Sequence, residues 1–394
     1  MKRALQVQIP LFIAVRTLLN TSLRMVYPFL PVFARGLGVD LRLLSLGLTL
    51  RWSSGLLGPF LAWIGDTRGR KAGMLFGLSL FVLSAGLVAV WPTYPAFVIA
   101  LILSLVGNIT LVTSMQAYLG DQVPYRQRGL ALGLIEFSWS LGFIVGVPLV
   151  GLLIARHGWQ APFPILALLG VLALAGLWRL LPADKPEISS RPNMGRNLLA
   201  VIQHPAALAG AVLGICMSSS NEMVNLIFGV WLEDSLQVKI AALAGASAVI
   251  GLSELGGESL VSFLVDRLGK ARSVSLGLLS NALVALALPT LGQSLSGALL
   301  GLFLLYLTFE FTMVSAIPLM TEVLPGSRAT FMSVFFASTA LGRGISDMIA
   351  PSLYEFGKTS PRLPGLQPIV LAAIVLNLFA LICLGFVRRA EPES

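Results

Sequence analysis

The chain is short of charge. Only 11% of its 394 residues are Asp, Glu, Lys or Arg, against about 25% in an average soluble domain. Too few ionised groups remain to cover a water-facing surface, which excludes a soluble enzyme or a soluble nucleic-acid-binding domain. Cysteine is as scarce. Cys216 and Cys383 both fall in apolar runs without CxxC or metal-ligand spacing, so they read as small buried hydrophobes. The two histidines, His157 and His204, lack an HExxH or acid-paired neighbourhood, so no metal and no cofactor is expected. The sequence has no GxxxxGK[ST] run, which argues against ATP hydrolysis, and no convergent nucleophile and base, which argues against an enzyme. A membrane sensor would need a sizeable output domain, and the longest polar stretch has only about twenty residues.

What the chain does have is apolar length: 56% of residues are hydrophobic and the mean hydropathy is +0.86. Apolar windows bounded by turn residues predict twelve spans. They lie near 8–34, 43–65, 72–92, 96–118, 130–154, 161–181, 206–232, 240–265, 273–294, 296–320, 329–354 and 366–387. The fold expected is all-α and membrane-embedded. Residues 1–181 form one six-helix bundle, 182–205 a polar linker and 206–394 a second bundle. Met1-Lys2-Arg3 before an apolar run resembles a secretory signal, but no small-residue cleavage site follows, so it reads as an uncleaved first span. Seventeen cations fall in loops on one side, with both termini and the linker, and six on the other. That asymmetry makes the first side cytoplasmic.

The chain is also internally duplicated. Gly65-Asp66-Thr67-Arg68-Gly69-Arg70-Lys71 returns as Val265-Asp266-Arg267-Leu268-Gly269-Lys270, with the aspartates 200 positions apart. At the same offset Thr110 matches Glu310, Arg128 matches Arg328 and Gly142 matches Gly342; at 198, Arg24 matches Glu222. The halves are therefore parallel repeats about an axis along the membrane normal.

Ten ionisable residues lie inside the predicted spans: Arg16, Arg24, Arg51, Glu136, Glu222, Glu254, Glu258, Glu310, Arg343 and Asp347. Each costs roughly 2.5–3.5 kcal/mol on insertion scales and is a functional candidate for that reason. The third, ninth and twelfth spans carry none, and the sixth has only Arg179 at its cytoplasmic end. Arg16, Asn20 and Arg24 recur at i, i+4, i+8 as one polar stripe, with Tyr27 at the next turn. Two uses of Arg24 stand side by side: it binds an anionic substrate group, or it pairs with Glu222 across the two halves. Arg16 is expected to snorkel toward the cytoplasmic surface. Ser218-Ser219-Ser220-Asn221-Glu222 with Asn225 is polar enough to unwind beside a cavity.

Glu222 is the first candidate for a protonatable site, Glu310 near Tyr306 and Thr308 the second, and Glu136 the third. Arg343 and Asp347 at i, i+4 are expected to pair. The like charges of Glu254 and Glu258 favour protonation of one, unless Glu258 serves the cytoplasmic turn. Arg51 is a candidate partner for an acid of the other half. Four arginines face six carboxylates, so two acids are left to hold protons.

The first turn, Ala62-Trp63-Ile64-Gly65-Asp66-Thr67-Arg68-Gly69-Arg70-Lys71, resembles the loop between helices two and three of the major facilitator superfamily, G-x-L-A-D-R-x-G-R-R/K. Asp66, Gly69, Arg70 and Lys71 match, whereas Ala62 and Thr67 depart. Asp121-Gln122-Val123-Pro124 with Arg128-Gly129 is similar to that family's turn after helix four. Gly142-Phe143-Ile144-Val145-Gly146-Val147-Pro148 resembles the glycine-rich motif of its proton-driven drug antiporters, with Val147 inserted before Pro148. The family's fourth-helix Arg has no counterpart in Leu105-Val106-Gly107-Asn108.

The resemblance implies two six-helix bundles around a cavity lined by the first, fourth, seventh and tenth helices. Arg24, Asn20, Tyr27, Asn108, Glu222, Asn225, Tyr306 and Glu310 would then be cavity residues. It implies a cytoplasmic latch built on Asp66, Gly69, Arg70, Lys71 and Asp121 and on the second copy, Asp266, Arg267 and Gly269. Its further implications are a monomer in the cytoplasmic membrane and proton-coupled efflux of a small amphipathic or anionic organic compound. Proton symport of an organic anion and flipping of a lipid-linked anion are the alternatives. The partners implied are a small-molecule substrate, protons and membrane lipid, without nucleic acid.

Overall fold

The computed structural model describes residues 3–58, 68–123, 125–182 and 194–388, with side chains for all of these but 3–6, 125–132, 194–197 and 329. Helices take up nearly all of that length. The first crossing is α1 (Arg3–Arg24) with α2 (Leu30–Leu37), and the second is α3 (Leu41–Ser54). There follow α4 (Arg70–Val90), α5 (Tyr94–Gln122), α6 (Tyr125–Leu141) joined through a π-turn at Gly142–Gly146 to α7 (Val147–His157), and α8 (Pro162–Leu180). A short helix, α9 (Met194–Gln203), leads to α10 (Pro205–Leu236), α11 (Ile240–Leu268), α12 (Lys270–Leu291), α13 (Leu295–Val323), α14 (Arg328–Thr359) and α15 (Gln367–Arg388).

Among the described residues nine helical segments are long and apolar enough to cross a membrane by length and composition. The three crossings that fall short, α1–α2, α3 and α14, carry all four intramembrane arginines: Arg16, Arg24, Arg51 and Arg343.

The chain divides into two compact units: Met1–Ser190 with Lys239–Gly251, and Arg191–Val238 with Leu252–Ser394. The short helix α9 belongs to the second unit, where Val201 joins a core with Phe331, Phe335 and Met320. In the most apolar window of α10, 83% of residues are buried, against 22% for α8, so α10 is internal and α8 presents its leucines outward.

The first crossing is broken, where an unbroken span over 8–34 is expected from its apolar run. Pro28 has no N–H to give and biases Tyr27 away from the helical region. Hydrogen bonding shifts accordingly: Tyr27 N–H donates to the Arg24 carbonyl at 3.3 Å, and Leu30 N–H to the Tyr27 carbonyl at 3.4 Å. Arg24 thereby becomes the last residue of α1, where its charge complements the negative end of the helix.

The seventh crossing is continuous from Pro205 to Leu236, so the serine-rich run expected to unwind stays helical. The reason is visible in its hydroxyls. Ser219 donates to the Gly342 carbonyl at 2.9 Å and Ser220 to the Ala373 carbonyl at 3.0 Å, while the Ser219 carbonyl accepts from Ser346 at 3.0 Å. These polar groups are spent on helix packing against α14 and α15.

The duplication is repeated in this packing. Gly142 lies against α1, and a Cβ there would meet the Asn20 Cβ at 3.2 Å; Gly342 lies against Ile215 and Ser219 of α10. Gly146 is closer still, for a Cβ would overlap the Thr21 side chain. Gly146→Val is therefore expected to destabilise the protein by about 1–3 kcal/mol, read as a lower melting midpoint in detergent. Thr21→Ala in the same chain should recover part of the loss, and an unchanged midpoint for Gly146→Val would refute the close approach.

Candidate functional site

In the first unit the α1 stripe faces α6. Arg16 makes a two-pronged ion pair with Glu136, at 2.8 and 3.0 Å, and is itself buried. The expected snorkelling is replaced by this pair, because a carboxylate stands within reach and water does not need to. Asn20 donates to the Ser138 carbonyl at 3.1 Å, and Arg24 to the Trp139 carbonyl at 3.0 Å. The Arg24 guanidinium also lies over two rings, 3.5 Å from the centre of Phe143 and 4.2 Å from that of Trp139. Contacts of this kind orient a cation.

Arg51 is buried to 1% exposure and meets no carboxylate among the described residues, in contrast to its expected acid partner. One arm donates to the Leu23 carbonyl at 3.0 Å and the other to the Tyr27 hydroxyl, which also accepts from Trp52 Nε1 at 3.2 Å. Leu23 would serve Tyr27 N–H in an unbroken helix. The break frees that carbonyl, and Arg51 takes it. Asn108, expected at a cavity, has a buried side-chain oxygen without a hydrogen-bond partner.

In the second unit a buried chain runs across three helices. Arg343 Nη1 of α14 donates to Glu222 Oε2 of α10 at 3.2 Å. Asn225 Nδ2 donates to the same oxygen at 3.1 Å, and the Tyr306 hydroxyl of α13 donates to Asn225 Oδ1 at 2.6 Å. Glu222 has no exposed surface at all. The positions of Arg24 and Phe143 in the first unit correspond to those of Glu222 and Arg343 here, at offsets of 198 and 200. At these corresponding positions each unit sets a guanidinium between its first and fifth helices: Arg24 of the first helix over the rings of Trp139 and Phe143, and Arg343 of the fifth against Glu222.

Glu310 is buried on α13, where Gly257 lets α11 approach its Cβ closely. Glu254 and Asp347 are buried as well, and Glu258 is partly so. A search confined to ionisable residues passes over another buried link. Asn377 of α15 donates to Asn281 of α12 at 2.8 Å, and Asn281 donates to the Leu305 carbonyl at 2.9 Å and to Thr308 at 3.0 Å. An asparagine inside each of two otherwise apolar spans was the available signal.

The described ends of the duplicated turns match. Gly69 and Gly269 stand just before α4 and α12 with φ of 97° and 85°, which only glycine adopts readily. Arg70 Nε pairs with Asp121 at 3.4 Å in one unit and Lys270 pairs with Glu322 in the other. Lys71 Nζ donates to the Trp178 carbonyl at 2.7 Å and to that of Leu181, satisfying open carbonyls at the end of α8. Asp266 and Arg267 are exposed. Asp66 lies outside the described residues, as do the side chains of Arg126 and Arg128. At the opposite end of α14, Lys358 pairs with Asp234 at 2.7 Å and Tyr354 donates to Asp234 at 3.2 Å. Burial pulls the Lys358 ammonium down, but its hydrogen bonds with Asp234 and Glu355 outweigh this and leave it above the ordinary lysine range.

A model of the Major Facilitator Superfamily matches residues 12–347. The chain belongs to the major facilitator superfamily. Its fold is accordingly the twelve-helix membrane fold of two six-helix bundles, and it is a multi-pass membrane transporter rather than an enzyme. The uncharacterised MFS-type transporter YceJ of Bacillus subtilis (strain 168) is 23% identical to it over 353 residues, covering 88% of this chain and 90% of its own. The inner membrane transport protein YdhP of Escherichia coli (strain K12) is 23% identical and covers 93% and 92%. The multi-drug resistance efflux pump PmrA homolog of Lactococcus lactis subsp. lactis (strain IL1403) is 25% identical over 278 residues, 68% of each chain. Among solved structures, a D-xylose-proton symporter aligns with a TM-score of 0.78 at 17% identity, covering 98% of both chains.

Proposed function

We propose that this facilitator works by alternating access and expels a small amphipathic or anionic organic compound in exchange for protons. Glu222 carries the proton, and Arg343 is its counter-charge. The observation that supports this most directly is the wholly buried Glu222 carboxylate, held by Arg343 and Asn225 with Tyr306 behind. Withdrawing the guanidinium removes the counter-charge of a buried acid, and that is the kind of change a proton-coupled carrier needs. Arg24, oriented by the Trp139 carbonyl and two rings, is suited to an anionic substrate group. Glu136 is the weaker coupling candidate, since both its oxygens are taken up by Arg16. The Lactococcus relative is named for drug efflux, which favours export, and the excess of loop cations favours cytoplasmic termini in the cell membrane.

Everted membrane vesicles energised by a pH gradient provide the test. With a panel of amphipathic and anionic metabolites, accumulation should appear for some members and collapse when the gradient is dissipated. Accumulation indifferent to the gradient would refute proton coupling.

A further inference from the structure

The short helix that opens the second unit, α9, is apolar on two sides. Val201 is 1% exposed and enters the core of the second unit, while Leu198, Leu199 and Ile202 are 41%, 53% and 55% exposed. At 100° per residue these three fall within one arc of about 100°, next to the Val201 direction. Gln203, exposed, falls just beyond the far edge of that arc. A helix with a buried edge, a bare apolar arc and a polar edge has the pattern of one lying flat at a lipid boundary.

We propose that α9 is an interfacial helix, whose Leu198–Leu199–Ile202 arc seats in the boundary between headgroups and acyl chains of the membrane that the bundles span. Position favours lipid over a protein partner. Only His204 separates α9 from α10, whose first exposed apolar residues, Leu208 and Val212, follow within three turns. That junction fixes α9 at the depth where the spanning helix begins. Charge favours lipid as well. Arg191 and Arg196 bracket the start of α9 in sequence, and no acid occurs between Glu187 and Glu222. Cations flanking an apolar arc suit an anionic leaflet. On the orientation proposed above, this is the cytoplasmic leaflet.

The full-length protein in vesicles of phosphatidylcholine and phosphatidylglycerol allows the test. Cys216 and Cys383 are buried, which favours selective labelling of a single added cysteine with an environment-sensitive fluorophore. The label at Ile202→Cys should be quenched severalfold more by nitroxide-bearing lipid than the label at Gln203→Cys, with iodide in the buffer giving the reverse order. Removing phosphatidylglycerol should lessen lipid quenching at Ile202. Equal quenching by iodide at both positions would overturn the proposal, since the arc would then face water. Protection from both quenchers, with Ile202→Cys cross-linking between two chains, would overturn it in favour of a second copy. The measurement reads depth and is independent of proton coupling and of which side holds the termini.

Discussion

With Glu222→Gln, pH-gradient-driven accumulation in everted vesicles falls to background, while exchange of labelled for unlabelled substrate continues. The amide keeps the size of the carboxylate and can still meet Asn225 and Arg343, so packing at this wholly buried position is largely retained. What it loses is the capacity to change charge. Coupling needs that change, because a carrier exchanges proton for substrate only if the two occupancies influence each other. The sign of the influence separates export from import. If proton and substrate compete, wild-type affinity rises with pH and Glu222→Gln flattens the dependence. If they bind together, affinity falls with pH, and the symport alternative takes over. A pH dependence that survives Glu222→Gln intact removes this residue from coupling and moves attention to Glu310.

The membrane architecture is legible in the chain because its signals are local. Apolar windows and the glycine within each repeated turn act within a few residues. The break in the first crossing is less legible, because Pro28 stands in a run of Tyr, Phe, Leu and Val that reads as apolar throughout. The choice of ionic partners is hidden more deeply. Helical spacing offers Arg343 a neighbour four residues along its own helix, but says nothing of which residue of α10 lies beside it. That depends on the register between α10 and α14, fixed by close approaches such as Gly342 on Ile215 and Phe335 on Gly214. Offsets between repeats align Arg24 with Glu222, and within its own unit each finds a partner on the fifth helix. Arg51 illustrates the same limit: the carbonyl it takes exists only because the neighbouring helix is broken.

Arg343→Met is expected to lower the unfolding midpoint in detergent strongly, and Arg343→Met with Glu222→Met is expected to restore most of it. Removing one member of a buried ion pair leaves the other charge in a low-dielectric interior, a loss of about 3–5 kcal/mol, whereas replacing both by apolar groups of similar volume is often neutral or stabilising. The pH supplies a second handle on the single variant. Protonation removes the stranded negative charge, so the deficit of Arg343→Met should shrink as pH falls and grow as pH rises; the double variant should show no such slope. Transport separates stability from mechanism. Both variants should fail at gradient-driven accumulation, the double one while as stable as the wild type, which would assign the pair to coupling rather than to folding. A double variant as unstable as the single one would show that α10 and α14 depend on these side chains for shape, and a double variant that still concentrates substrate would exclude the pair from the transport cycle.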